Sequence, residues 1–228
     1  MRDNGRPLTF TPRERQLIAR LRSPLDVQRF LNRLPYNTEP PPGRATLRSF
    51  RGVVRAGCAH CLEATIFSAA LLEQHGFPPL VLSFESIDHL DHVIFVYQQR
   101  GRWGSVARSR DPGLHGRKPV FATPRALALS YVDPYVDDTG GVTGYAVVDL
   151  RILGTYDWRL SDRNVWRVED LLLNTRHHRI RTSPARIKAL RAKYRAYRAE
   201  HGGRKPIYYE RRERWTEIPE EFLRGMAD

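Results

Sequence analysis

The segment that most constrains this chain is 57–76, GCAHCLEATIFSAALLEQHG. Leu62, Ile66, Ala69 and Ala70 recur at helical spacing, with Phe67 and Leu71 beside them. A helix with so broad an apolar face belongs inside a core rather than on a surface. Gly76 is a natural C-cap, and Pro78 and Pro79 prevent continuation. The only two cysteines of the chain, Cys58 and Cys61, stand at the start of this helix with His60 between them.

Three strand candidates follow: LVLSF at 80–84, HVIFVYQ at 92–98 and RWGSVA at 102–107, the last two joined by a QRG turn at 99–101. A short capped helix is predicted from Thr123, a strand at 144–153 and a helix at 161–173. Upstream, TPRE at 11–14 and SPLD at 23–26 are helix starts, with Thr11 and Ser23 as caps followed by proline. Val27, Phe30, Leu31 and Leu34 form the apolar face of the second helix. Both helices end before PYNTEPPPG at 35–43, where Pro40, Pro41 and Pro42 make a stiff connector. A tail helix begins at Ser183-Pro184 and stops at Gly202 or Gly203. It carries an apolar stripe of Ile187, Leu190, Tyr194 and Tyr197 and a basic stripe of Arg191, Arg195 and Arg198.

With 228 residues, 41% of them hydrophobic, the chain can bury one domain with appendages. The net charge is +13, but residues 176–214 hold 14 basic and 3 acidic side chains, so the remainder is nearly neutral. Such a basic tail attracts phosphates or an acidic partner; an arginine-rich composition, with only four lysines, accounts for it equally well. No apolar run reaches the ~20 residues of a membrane span, so no membrane is expected. The N-terminal stretch lacks the apolar core of a signal peptide. Two cysteines do not make a disulfide scaffold, and a cytoplasmic protein with reduced thiols is expected.

Three chemistries use cysteines in this setting. Cys58, Cys61, His89 and His92 are a chemically adequate zinc set, but the long segment between the pairs fits no finger spacing. A C-x-x-C at a helix N-terminus suits a redox pair, but an apolar strand normally leads into that motif, and here the lead-in RSFRGVVRAG is short and basic. The third is a cysteine nucleophile. A helix N-terminus lowers a thiol's pKa and an imidazole takes its proton, and Cys61 opens the helix while His92 heads an apolar strand. On the first two counts no metal or cofactor is expected.

Residues 57–111 resemble the transglutaminase-like branch of the papain-like cysteine enzymes. The matching positions are Cys61, Ala64, Leu71-Leu72, Gly76-Phe77-Pro78, VLSF, His92 in DHVIFV, Trp103 in RGRW and Asp111 in RDP. The resemblance implies an α+β fold, with the cysteine helix packed on an antiparallel sheet that carries the histidine and the aspartate. It implies Cys61 as nucleophile, His92 as general base and then acid, and Asp111 as the residue orienting the imidazole. Asp91 and Asp88 are the alternatives to Asp111. The Cys61 backbone amide would be one oxyanion donor, and a side chain from Tyr36 or Asn37 the second. Cys58 receives no role, His60, His75 and His89 are expected to be surface or loop residues rather than ligands, and Glu63 is expected to stabilise the helix end or pair with an arginine. The implied activity is acyl transfer on a carboxamide or peptide bond, hydrolysis rather than cross-linking, on a peptide or protein substrate of unknown identity.

The competing class is a non-catalytic binding module. Arginines interleaved with Tyr194, Tyr197, Tyr208, Tyr209 and Trp215 could contact nucleic acid, although the tyrosines of the tail helix lie on its apolar stripe and suit docking on the body. Asp133, Asp137 and Asp138 lack calcium-ligand spacing and suit a solvated loop. The expected organisation is an N-terminal helical segment with its connector at 1–43, a catalytic core at 44–160 and a basic helical extension at 161–228.

Overall fold

The apolar segment forms α4 (Cys61–Glu73), in which every residue from Leu62 to Glu73 is buried. The computed structural model describes residues 2–3, 6–39 and 43–223. The expected triple-proline connector, Pro40–Pro42, lies outside the described residues. A mainly apolar helix cannot stand alone in water, and the rest of the chain covers it from two sides.

One cover is helical. It comprises α1 (Pro12–Arg20), α2 (Pro24–Arg33) and α3 (Phe50–Ala56). The caps of the first two act as the sequence predicts: Thr11 and Ser23 accept from the backbones of Glu14 and Asp26, whose carboxylates bind back. Phe67 of α4 packs between Phe30 of α2 and Phe50 of α3, with ring centroids 5.3 and 5.2 Å apart. The other cover is a six-stranded sheet in the order β6-β5-β4-β3-β7-β8, with every neighbouring pair antiparallel. Its strands are β3 (Leu80–Ser86), β4 (His92–Gln99), β5 (Arg102–Val106), β6 (Arg117–Phe121), β7 (Val142–Asp149) and β8 (His178–Arg179). A separate two-stranded ribbon pairs β1 (Arg2–Asp3) with β2 (Arg6–Pro7).

Strand periodicity divides the core. In β4, Val93, Phe95 and Tyr97 join the α4 cluster. Ile94 and Val96 join a second cluster with Leu127 and Ala128 of α5 (Pro124–Leu129) and with Tyr131 and Tyr135. The turn from β4 to β5 places Arg100 and Gly101 at φ of 51° and 71°, the positive pair that a two-residue hairpin requires. The strand expected at 144–153 ends at Asp149, where Asp149 caps a 3-10 turn over 150–153. The helix expected at 161–173 is α6 (Trp166–Leu173), preceded by turns. α3, β6 and β8 have no counterpart in the sequence reading. They are short, and β6 holds Pro119 at the edge of the sheet, where a missing N–H is tolerated.

The tail helix α7 (Pro184–Glu200) starts from Ser183 as predicted. Beyond it, residues 205–223 run back over the body. Trp215 bridges Arg117, and the Thr216 amide donates to the Gly116 carbonyl oxygen at 3.1 Å. Glu217 takes Arg29 at 2.7 Å and Glu221 takes Arg108 at 2.9 Å. Among the described residues, no helix is long and apolar enough to cross a membrane.

Candidate active site

Cys61 is the first residue of α4, so its sulfur stands at the helix end where free N–H groups concentrate positive potential. It is half-buried and opens onto a cleft of about 470 Å³. His92, the first residue of β4, is buried and lines the same cleft. The helix and strand are tied at this point, because the Thr65 hydroxyl lies 2.9 Å from both the Cys61 and the Val93 carbonyl oxygens.

Two imidazoles face the thiol. His92 Nε2 donates to the Leu114 carbonyl oxygen at 3.0 Å, which leaves Nδ1 for the sulfur. His60, expected to be a surface or loop residue, is the second. Its Nε2 lies 2.9 Å from the Thr46 carbonyl oxygen, and its remaining ring nitrogen serves Cys61. Burial pushes the Cys61 thiol up, but hydrogen bonds from His60 and His92 and the charge of both rings outweigh it and bring the pKa down from 9.0 to about 5. Burial pushes His60 down, and the hydrogen bond to Cys61 and the charge of Glu63 overcome that, raising it from 6.5 to about 9.

Glu63 explains why His60 sits there. It is fully buried and accepts from the His60 amide at 3.1 Å, as the acidic partner in a capping-box spacing. The same carboxylate accepts from Asn37 Nδ2 at 3.1 Å, the Thr46 hydroxyl at 2.9 Å and the Arg48 amide at 3.0 Å. Arg48 also forms an ion pair with it at 3.3 Å, so Glu63 both stabilises the helix end and pairs with an arginine. One buried charge with this many donors is fully compensated, and it gathers residues 37–48 against the start of α4. Arg48 Nη1 also lies 3.7 Å from Cys58 Sγ.

Asn37 is thus committed to Thr46 and Glu63. The Tyr36 hydroxyl instead lies beside the Cys61 backbone amide, and burial together with the Cys61 charge pushes its pKa up.

The structure does not bring Asp111 to the His92 ring as a hydrogen-bond partner. Asp111 lines the cleft and forms an ion pair with Lys205 at 2.5 Å. Asp88 is held by Ser86 Oγ at 2.6 Å and Thr139 Oγ1 at 2.8 Å, and Asp91 accepts from the Ser86 amide at 2.8 Å. The atom on His92 Nε2 is a backbone oxygen, and Arg117 holds its loop. Fully buried and with no acidic partner among the described residues, Arg117 donates to the carbonyls on either side of Leu114, to Gly113 at 2.7 Å and His115 at 2.8 Å. Its guanidinium is sandwiched between Tyr131 at 4.0 Å and Trp215 at 4.4 Å.

Cys58, Cys61, His89 and His92 do not gather around one point. Among the described residues, no group of three or more His, Cys, Asp or Glu is placed to hold a metal ion. Cys58 and Cys61 are both free thiols. The arginines of α7 are engaged with the body: Arg186 with Asp133 at 2.8 Å, Arg195 with Asp138 at 2.7 Å, and Arg191 with the Thr139 carbonyl. Of its apolar stripe, Tyr194 is buried.

No family model matches the chain, and a search of curated proteins finds no match. Among solved structures it is similar to LapG of Legionella pneumophila. The EGTA-treated form is 15% identical with a TM-score of 0.36, over 63% of this chain and 82% of that one. A second LapG structure is 14% identical with a TM-score of 0.39 over the same shares, and the calcium-bound form is 14% identical with a TM-score of 0.34 over 70% and 85%. Likeness at this level does not identify a family.

Proposed function

We propose that this protein is a cysteine-dependent hydrolase of carboxamide or peptide bonds, built on a transglutaminase-like core. The observation that carries the proposal is the Cys61 thiol at a helix N-terminus, in one cleft with the His60 and His92 rings. The resemblance of residues 57–111 supports the same core.

In the proposed reaction the Cys61 thiolate attacks the carbonyl carbon and the oxygen takes up the charge. The Cys61 amide and, once it releases that amide, the Tyr36 hydroxyl would be its donors; one such donor is worth about 10²–10³ in rate. As the C–N bond breaks, the imidazolium of His92 gives its proton to the leaving amine. Water, deprotonated by the same ring, then cleaves the thioester and restores the thiol. His60 holds the thiolate between turnovers. The Leu114 carbonyl orients His92 in the role that the resemblance gives to an aspartate, and Asp111 contributes charge to the cleft wall.

Alkylation by iodoacetamide, followed site by site with mass spectrometry, tests this. A thiolate of low pKa is more abundant at pH 6 but intrinsically less nucleophilic. The two effects together leave Cys61 reacting about tenfold faster than an ordinary thiol. Cys61 is therefore expected to outpace Cys58 by about that factor, and His92→Ala to abolish all hydrolysis while removing only part of the labelling advantage, since His60 remains. Equal labelling of the two cysteines at pH 6 would sink the proposal.

A further inference from the structure

The cleft around Cys61 carries the opposite charge to the chain that builds it. Six carboxylates line it, from Glu39, Asp88, Asp91, Asp111, Asp137 and Glu169, against only Arg110 and Lys205 as lysine or arginine cations. The whole chain has 38 lysines and arginines against 25 acids. The cationic excess lies in the tail, 14 basic against 3 acidic side chains over residues 176–214, and the cleft is the reverse of it.

Nor do these acids form a local run. Glu39 follows Tyr36, Asp88 and Asp91 stand in the turn between β3 and β4, Asp137 precedes β7, and Glu169 is on α6. The fold brings them together from separate segments. Elsewhere arginines take the acids: Glu73 is paired with Arg159 at 2.6 Å, Asp133 with Arg186 at 2.8 Å and Glu221 with Arg108 at 2.9 Å. Of the six in the cleft, only Asp111 has a lysine or arginine partner among the described residues, and that is Lys205. The Glu39 carboxylate lies 4.0 Å from the His60 ring.

A second observation concerns apolar surface. Leu90, Trp166 and Leu173 line the same cleft while 63%, 39% and 65% exposed. Large apolar side chains left wet beside a reactive thiol are surface that a bound chain would cover.

We propose that the cleft selects peptide segments in which lysine or arginine side chains, mixed with apolar ones, flank the bond to be cleaved. The proposal rests on the hydrolase reading above and specifies its substrate class. Carboxylates in a cleft with low-dielectric walls concentrate the field on an incoming cation, while the basic tail repels cationic peptides from its own surface. Lysine and arginine also bring aliphatic stems that suit Trp166 and Leu90.

The test uses the full chain with Cys61→Ala, which can bind but not cleave. Two pools of dye-labelled octapeptides, alike except that one carries lysine and arginine and the other aspartate and glutamate, are titrated by fluorescence anisotropy. The cationic pool is expected to bind on the order of tenfold tighter at about 0.05 M salt, with the difference shrinking at about 0.5 M. Asp91→Asn with Glu169→Gln is expected to remove most of the preference. Tighter binding of the acidic pool, which the net charge of +13 alone would produce, overturns the proposal. So does a cationic preference that the double variant leaves intact. Wild-type protein incubated with the same pools separates the two claims. Charge-selective binding without cleavage would reject the hydrolase and keep the selectivity, whereas cleavage of both pools alike would reject the selectivity and keep the hydrolase.

Discussion

Two helices of this protein are held by opposite means. α4 is buried along its length and packed by apolar contacts against the sheet and against α2 and α3. α7 is longer, 17 residues against 13, yet Tyr194 is its one buried residue. Arginine contacts to the loop at 133–140 hold it in place. Exposed ion pairs contribute only about 0–1 kcal/mol each and weaken with salt. Fully buried leucine, isoleucine or phenylalanine side chains contribute about 1.5–3 kcal/mol apiece and do not. The comparison separates two tasks. The apolar helix fixes Cys61, whereas the ionic one positions a wall, since the loop it grips supplies Pro134, Tyr135 and Asp137 to the cleft, and the chain leaving it supplies Lys205, Pro206 and Tyr209.

The largest expected effect is at the centre of the apolar element. Phe67→Ala should cost about 3–5 kcal/mol, read as a fall in the midpoint of denaturant unfolding that is the same at low and high salt. Next comes the pH dependence at the head of the same helix. A thiol lowered to about 5 is protonated below that value and ionised above it, so alkylation of Cys61 should climb through pH 5 and level off between about 6 and 8. An unperturbed thiol would still gain about tenfold per pH unit across that interval, and such a climb would detach the chemistry from the helix end. The smallest effect belongs to the ionic element. Asp138→Asn removes the partner of Arg195 and Arg198 and should change global stability by no more than about 1 kcal/mol, while hydrogen exchange in α7 quickens. If it destabilised as much as Phe67→Ala, the contrast between the two helices would be false.

What could be read in the sequence follows the same division. The core helix, its flanking strands and the capped helix starts were legible because each carries a local signal: a period, a cap or a turn. Cys61 and His92 stood at the ends of such elements, and the structure brings both into one cleft. His60 lies in the loop before α4, as expected, but its place beside Cys61 went unread, although it stands three positions before Glu63, a spacing that belongs to a helix cap. The acceptor for His92 could not be read, because a backbone carbonyl at Leu114 has no residue type to announce it. Asp111, the aspartate legible from side chains, lies on the cleft wall and pairs with Lys205. The destination of the basic tail was equally hidden, since its partners lie in a loop distant in sequence and depend on tertiary placement.

The aromatic cover over Arg117 has a consequence for the order in which the protein matures. Trp215 closes one side of that guanidinium, and Arg117 holds the loop whose oxygen steadies His92. On the ribosome, the cysteine, its helix and both histidines emerge well before the segment carrying Trp215. A half-made chain therefore has Cys61 and His92 but not the aromatic cover over the arginine that holds the Leu114 loop, and that arrangement is complete only as translation nears Trp215.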